Sequence, residues 1–219
     1  MGLPTLQPLR YRGTQFDNHR GPEMAKILGN FHVALLIGVV LLVAAMFGLH
    51  GGLIGDGSYD WTQFMRYLHV FAGILWIGLL YYFNFVQIPT MPSVPAELKP
   101  GVTKYIAPKA LFWFRWAALA TVILGLLTGE MKEGGYTARA LGLAETHRTI
   151  GIGMWLGIIM AANVWFVIWP NQKRALGIVP AADDAKARSA SVAMMASRTN
   201  LILSLPMLYC MVAYAHFGL

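Results

Sequence analysis

The sequence predicts an all-α integral membrane protein with five transmembrane helices, and three observations carry that prediction. The 219 residues are 57% hydrophobic and only 12% charged, and the apolar residues arrive in blocks of membrane length. Positive charges gather in alternate connections between those blocks. A helix rising 1.5 Å per residue needs about 20 apolar residues to cross a hydrocarbon core of about 30 Å. Five segments qualify: 28–49, 62–88, 109–128, 149–170 and 199–217. Residues 1–27 read as a cytoplasmic leader and 28–219 as a single transmembrane helical domain. The first apolar run follows that polar leader and exceeds a typical h-region, so it reads as a retained span.

Each span is bounded by chemistry that stops a helix. Span one runs into the glycine-rich "HGGLIGDGSYD", and span two ends at Pro89, where "PTMPSVPAELKPGVTKYIAPK" begins. Span three gives way to "EMKEGGYTARALGLAETHR". Span four reaches Pro170, and "NQKRALGIVPAADDAKARSASVAMMAS" leads to span five with loop or interfacial-helix character. With the N-terminus inside, thirteen Lys and Arg residues lie on the inner side and four, Arg66, Lys132, Arg139 and Arg148, lie outside. The positive-inside rule therefore predicts N-in and C-out. The formal charge of +7 resides in these connections rather than on one amphipathic surface, which argues against a nucleic-acid partner.

Orientation turns sequence position into depth. His50, His69, His147 and His216 all approach the outer face, His32 the inner face, and His19 lies in the leader. The single Cys210 excludes an intramolecular disulfide, and no C-x-x-C-H is present, so a haem would be held by side chains alone. An iron or other metal needs its ligands at one depth, which confines a histidine-ligated site to the outer side.

A weak internal repeat selects a pair. "HVFAGILWIGLLYYFN" from 69 and "HRTIGIGMWLGIIMAAN" from 147 share H-x-x-x-G, then W-[IL]-G, then Asn eight residues after the Trp. If the repeat is real, helices two and three relate to helices four and five as two pseudo-repeats of a four-helix bundle, and His69 faces His147 across the axis. At 100° per residue, Gly73, Trp76, Leu80 and Gln87 lie within about 40° of His69, as Gly151, Met154, Ile158 and Trp165 do for His147. Gly73 and Gly151 would let a flat macrocycle approach each helix, and close helix packing explains them equally. Arg66 and Arg148 could pair haem propionates or serve as interfacial anchors. Asn84, Asn163 and Asn200 are expected to bond across helices. Arg115 and Arg198 open spans three and five near the inner interface, as snorkelling anchors or as a site for an anion or quinone head group.

The stretches "NVWFVIWPNQKR" (163–174), "ASRTNLILSLPMLYCM" (196–211) and "LHVFAGILWIGLLYYFNFVQIP" (68–89) resemble the membrane domain of the bacterial membrane-bound urate hydroxylases, the urate oxidase N-terminal type, over residues 60–217. Long members carry a following cytochrome c domain that receives electrons, which has no counterpart in these residues. The resemblance implies a multi-pass bacterial inner-membrane protein. More distantly, "W-x-x-x-x-R-Y-L-H" is similar to the opening of the bacterial protoporphyrinogen oxidase and copper-resistance membrane families, which implies His69 as a haem or metal ligand.

The leading expectation is a redox protein with a haem b between His69 and His147, exchanging electrons with a periplasmic cytochrome c or a neighbouring subunit. Two alternatives stand beside it. One is a non-catalytic accessory subunit of a larger membrane complex. The other is a copper or zinc site of His69 and His147, with His50 and His216 as further ligands.

Overall fold

The computed structural model describes residues 25 and 27–217. The leader's His19 and its arginines lie outside the described residues. Every regular element among the described residues is helical. Contacts group the chain into two units, Met1–Tyr59 and Asp60–Leu219.

In the first unit, α1 (Phe31–Gly55) starts where Asn30 accepts hydrogen bonds through Oδ1 from the amides of His32 (3.0 Å) and Val33 (3.3 Å). It is apolar all round, as a lipid-embedded helix must be.

The second unit opens with α2 (Trp61–Tyr81), capped by Asp60 Oδ1 accepting from the Thr62 amide at 2.9 Å. After it come α3 (Ala107–Glu130), the short α4 (Tyr136–Leu141), α5 (Arg148–Asn163), α6 (Trp169–Ala175) and α7 (Asp183–Phe217). Four helical stretches are long and apolar enough to cross a membrane: Phe31–Gly55, Trp61–Ser93, Gly101–Glu130 and Glu145–Ala175. The fifth expected span, 199–217, is the second half of the 35-residue α7. Residues 183–198, expected as connection, continue the same helix. Asp183 and Asp184 sit at its positive end and pair with Lys186 (2.9 Å) and Arg188 (2.7 Å) one turn on.

Three π-helical segments interrupt the long helices: Tyr82–Gln87, Gly101–Ile106 and Val164–Ile168. Each ends two residues before a proline, Pro89, Pro108 and Pro170. Proline has no N–H, and its ring collides with the carbonyl four residues back. The wide turn accommodates that collision: Ile88 N–H bonds Phe83 O, Ala107 N–H bonds Val102 O and Trp169 N–H bonds Val164 O, each five residues back.

α2 packs on α3, α3 on α5, α5 on α7 and α7 back on α2, closing a ring of four, with α4 laid across α3 and α5. Trp76, Leu80 and Phe83 meet Leu111, Phe114, Ala118, Met160, Val164 and Met207 at its centre. Phe71, Ile74, Phe166, Ile202 and Leu205 point outward and exposed, an apolar exterior suited to lipid. The wheel through His69 identified the buried side of α2, since Trp76 and Leu80 are 1% and 0% exposed. On α5 the buried side runs through Gly153, Gly157 and Met160, and on into Val164 of the π-helical segment, rather than through Met154 and Ile158. The reason is Gly153, where a Cβ would come within 3.0 Å of Cys210 Cβ: its missing side chain admits α7.

Candidate functional site

The predicted outer-face residues divide between separate environments. His69 lies in the third turn of α2 and turns its half-buried ring onto α3. Its Nδ1–H donates to the Thr121 carbonyl at 2.8 Å, and the ring lies over Gly125, where a Cβ would stand 2.8 Å from Cε1. That carbonyl belongs to the α3 backbone, so only a glycine one turn on leaves room for the imidazole to reach it. The cradle for His69 is thus on the neighbouring helix. The signal for it in the sequence is the small-residue series Thr121, Gly125, Gly129 at four-residue spacing.

His147 stands just ahead of α5, in the 3-10 turn Glu145–His147. Its Nδ1 is 2.7 Å from Thr146 Oγ1, and its ring meets Tyr136 edge-on at 5.0 Å and Tyr214 at 6.3 Å. Lys132 Nζ lies 4.2 Å above the Tyr136 ring. Burial holds the Lys132 ammonium below its ordinary pKa, with the Arg66 charge adding to it, and burial together with Tyr214 raises the Tyr136 phenol. Arg66 and Arg148 are exposed. His216 Nδ1 bonds the Val212 carbonyl of its own helix at 3.0 Å, and His50 meets Tyr59 edge-on at 5.7 Å within the first unit.

Among the described residues no ring contact joins His69 to His147, and no group of three or more His, Cys, Asp or Glu side chains could hold a metal ion. The glycine cradles test the haem directly. A Cβ on Gly151 would collide with the Ala140 carbonyl and come within 2.9 Å of Leu143 Cδ2, and one on Gly73 would touch Thr121 Cγ2 at 3.7 Å. Protein fills the place at Gly151, whereas the contact at Gly73 is an ordinary van der Waals one. A macrocycle lying over Gly151 would have to displace the Ala140 backbone.

The other end of the bundle holds a cavity of about 230 Å³. Phe83, Gln87, Leu111, Phe114, Ile168, Gln172, Met194 and Ser197 are among its walls. Two π-helical segments contribute Phe83, Gln87 and Ile168, so the prolines that widen those turns also shape the wall. Asn84 donates through Nδ2 to the Leu80 carbonyl and to Ser197 Oγ, both at 2.9 Å. Asn84 Oδ1 and Gln87 Oε1 are buried without a hydrogen-bond partner. Deeper in the bundle Tyr81 OH meets Ser204 Oγ at 3.2 Å, and Asn163 donates to Asn200 and to the Ala196 carbonyl. The three asparagines bond across helices as their depth requires. An uncharged cavity with aromatic walls and one wall residue, Gln87, whose carboxamide oxygen is unsatisfied is equipped to take a small ring carrying an N–H donor.

The chain is similar, over residues 140–219, to the family described as urate oxidase N-terminal. The matched stretch supplies His147, α5, α6 and α7, and with them Ile168, Gln172, Met194 and Ser197 of the cavity wall. No curated protein and no solved structure matches the chain.

Proposed function

We propose that this chain is the substrate-binding membrane part of an oxidoreductase related to the membrane-bound urate hydroxylases, and that the cavity between the π-helical segments receives an oxopurine-class ring. The observation that carries this reading is the buried, unpartnered oxygen Gln87 Oε1 of a residue in the wall of a cavity of about 230 Å³, with a second unpartnered oxygen, Asn84 Oδ1, three residues back on the same π-helical segment. A buried acceptor without a donor costs about 1–3 kcal/mol, and the ring N–H groups of an oxopurine would relieve that cost. Phe83 and Phe114, edge to face at 5.5 Å, supply apolar contact for the ring faces. The family likeness supports the reading because it covers the helices that form one side of the cavity.

The topology that goes with it has five spans, N-in and C-out, in the bacterial cytoplasmic membrane. Charge distribution supports it, since thirteen of seventeen Lys and Arg fall on one side. That orientation opens the cavity toward the cytoplasm. Electrons leaving the substrate would pass to an acceptor outside this chain, a redox group of a neighbouring subunit that reaches the same end of the bundle.

Equilibrium binding of urate and xanthine to the detergent-solubilised protein tests the proposal. Saturable binding is expected, weakened about tenfold by Gln87→Leu, the size of one lost hydrogen bond. If neither purine binds, or Gln87→Leu binds as tightly as the parent chain, the cavity is not the substrate site and a role as accessory subunit in a larger membrane complex takes its place.

A further inference from the structure

Arg115 lies in α3 with its guanidinium stacked 3.7 Å from the centre of the Trp169 ring and 5.7 and 5.9 Å from those of Phe112 and Trp165. The indole of Trp165 donates to the Arg115 carbonyl at 3.1 Å, which ties α3 to the widened turn of Val164–Ile168. Lys173, one turn beyond Trp169, brings a second ammonium to 5.7 Å from the same indole. Two cations therefore stand against one aromatic ring. Among the described residues the ion pairs are Lys186 with Asp183 and Arg188 with Asp184, so neither of these two cations has a carboxylate. One guanidinium nitrogen of Arg115, Nη1, is buried with no acceptor at all.

Cation–π contact holds the guanidinium flat but leaves its N–H edge unsatisfied. A buried N–H of a charged group without an acceptor is costly, and the repulsion of two neighbouring cations adds to it. An anion at the outer edge of the guanidinium would offset the charge of both cations. Phosphate matches the fork of a guanidinium, and an ammonium nearby adds a point charge. Phe112 is shared with a second, shallower groove of about 450 Å³ lined by Lys104, Tyr105, Lys109 and Trp113. Two more lysines and two interfacial aromatics thus continue the positive surface away from Arg115. Lys109 lies six residues before Arg115 on the helix, about 9 Å nearer the membrane boundary.

We propose that Arg115 and Lys173, set against Trp169, bind the phosphate of an anionic membrane phospholipid whose headgroup extends over Lys104 and Lys109. The charge pattern selects the lipid: phosphate deep at Arg115, further cations toward the water, and aromatic side chains between them against the headgroup. The site is independent of the purine cavity, whose walls include none of these residues.

The experiment compares the thermal midpoint of the purified protein in nanodiscs of phosphatidylglycerol and of phosphatidylcholine with the same chains. Phosphatidylglycerol should raise the midpoint, and the double variant Arg115→Gln/Lys173→Gln should lose the difference, whereas Lys186→Gln should keep it. Should Arg115→Gln fail to fold, Lys173→Gln alone must reduce the difference. A detergent-solubilised sample stabilised equally by inorganic phosphate would identify a free-phosphate site and overturn the lipid. Equal midpoints in the two lipids, or an undiminished difference in the variants, would overturn the site itself.

Discussion

Asn163 Nδ2 donates to Asn200 Oδ1 at 2.8 Å across the α5–α7 interface, and Asn200 Nδ2 passes the connection back to the Met160 carbonyl at 3.0 Å. Asn200 is fully buried, so water cannot replace either partner. Asn200→Leu removes one donor and one acceptor at once and leaves the Met160 carbonyl with its helical bond alone. Interhelical hydrogen bonds in lipid contribute about 0.6–2 kcal/mol each, so the variant, which lacks two, should lose about 1–4 kcal/mol. Reversible unfolding in mixed micelles measures it. Unchanged stability in Asn200→Leu would mean that packing alone joins these helices.

Much of this architecture can be read from the chain itself, for a physical reason. In lipid every backbone group must bond internally, so length and apolarity identify helices without any tertiary information. The buried asparagines announce themselves because an amide in hydrocarbon must find a partner. The prolines are also visible, but the helices run through Pro89 and Pro170 instead of stopping there, because a π turn relieves the i−4 clash and opens a cavity wall. What the helical wheel cannot supply is the rotation of α5. Gly151 and Gly153 are two residues apart, and both are buried, one under α4 and the other under α7. Spacing alone does not say which glycine admits which helix. His69 illustrates the same limit: its partner, Gly125, is on another helix, 56 positions away by the numbering.

Those glycines separate a packing role from a cofactor role. A Cβ on Gly125 would press to within 2.9 Å of His69 Nδ1, and a Cβ on Gly151 would press on the Ala140 backbone. The imidazole can swing away, at the cost of its bond to Thr121, but the carbonyl cannot. Gly151→Ala should therefore cost more than Gly125→Ala, both within the roughly 1–3 kcal/mol typical of overpacking. Gly78→Ala, with nothing within 4 Å of its Cβ, should be neutral. The ranking Gly151, Gly125, Gly78 in thermal midpoint checks it. Equal effects at all three positions would show that helix propensity rather than contact governs these sites.

Acid should fray the start of α2. The Asp60 carboxylate is held below its usual 3.8 chiefly by hydrogen bonding from Thr62, with Gln63 and the Arg66 charge in support. A carboxyl depressed in the folded state stabilises it fully above the unfolded value, and that contribution disappears as the pH falls through the folded value. The effect therefore belongs to the range below about pH 4 and is absent at neutrality. Asn accepts at an N-cap almost as well as Asp but does not titrate, so Asp60→Asn should behave like the parent chain at pH 7. Below pH 4 the parent should gain amide exchange at Thr62 and Gln63, and the variant should not. If both chains open equally in acid, the cap does not depend on the carboxylate's charge, and the fraying must come from groups elsewhere in the fold.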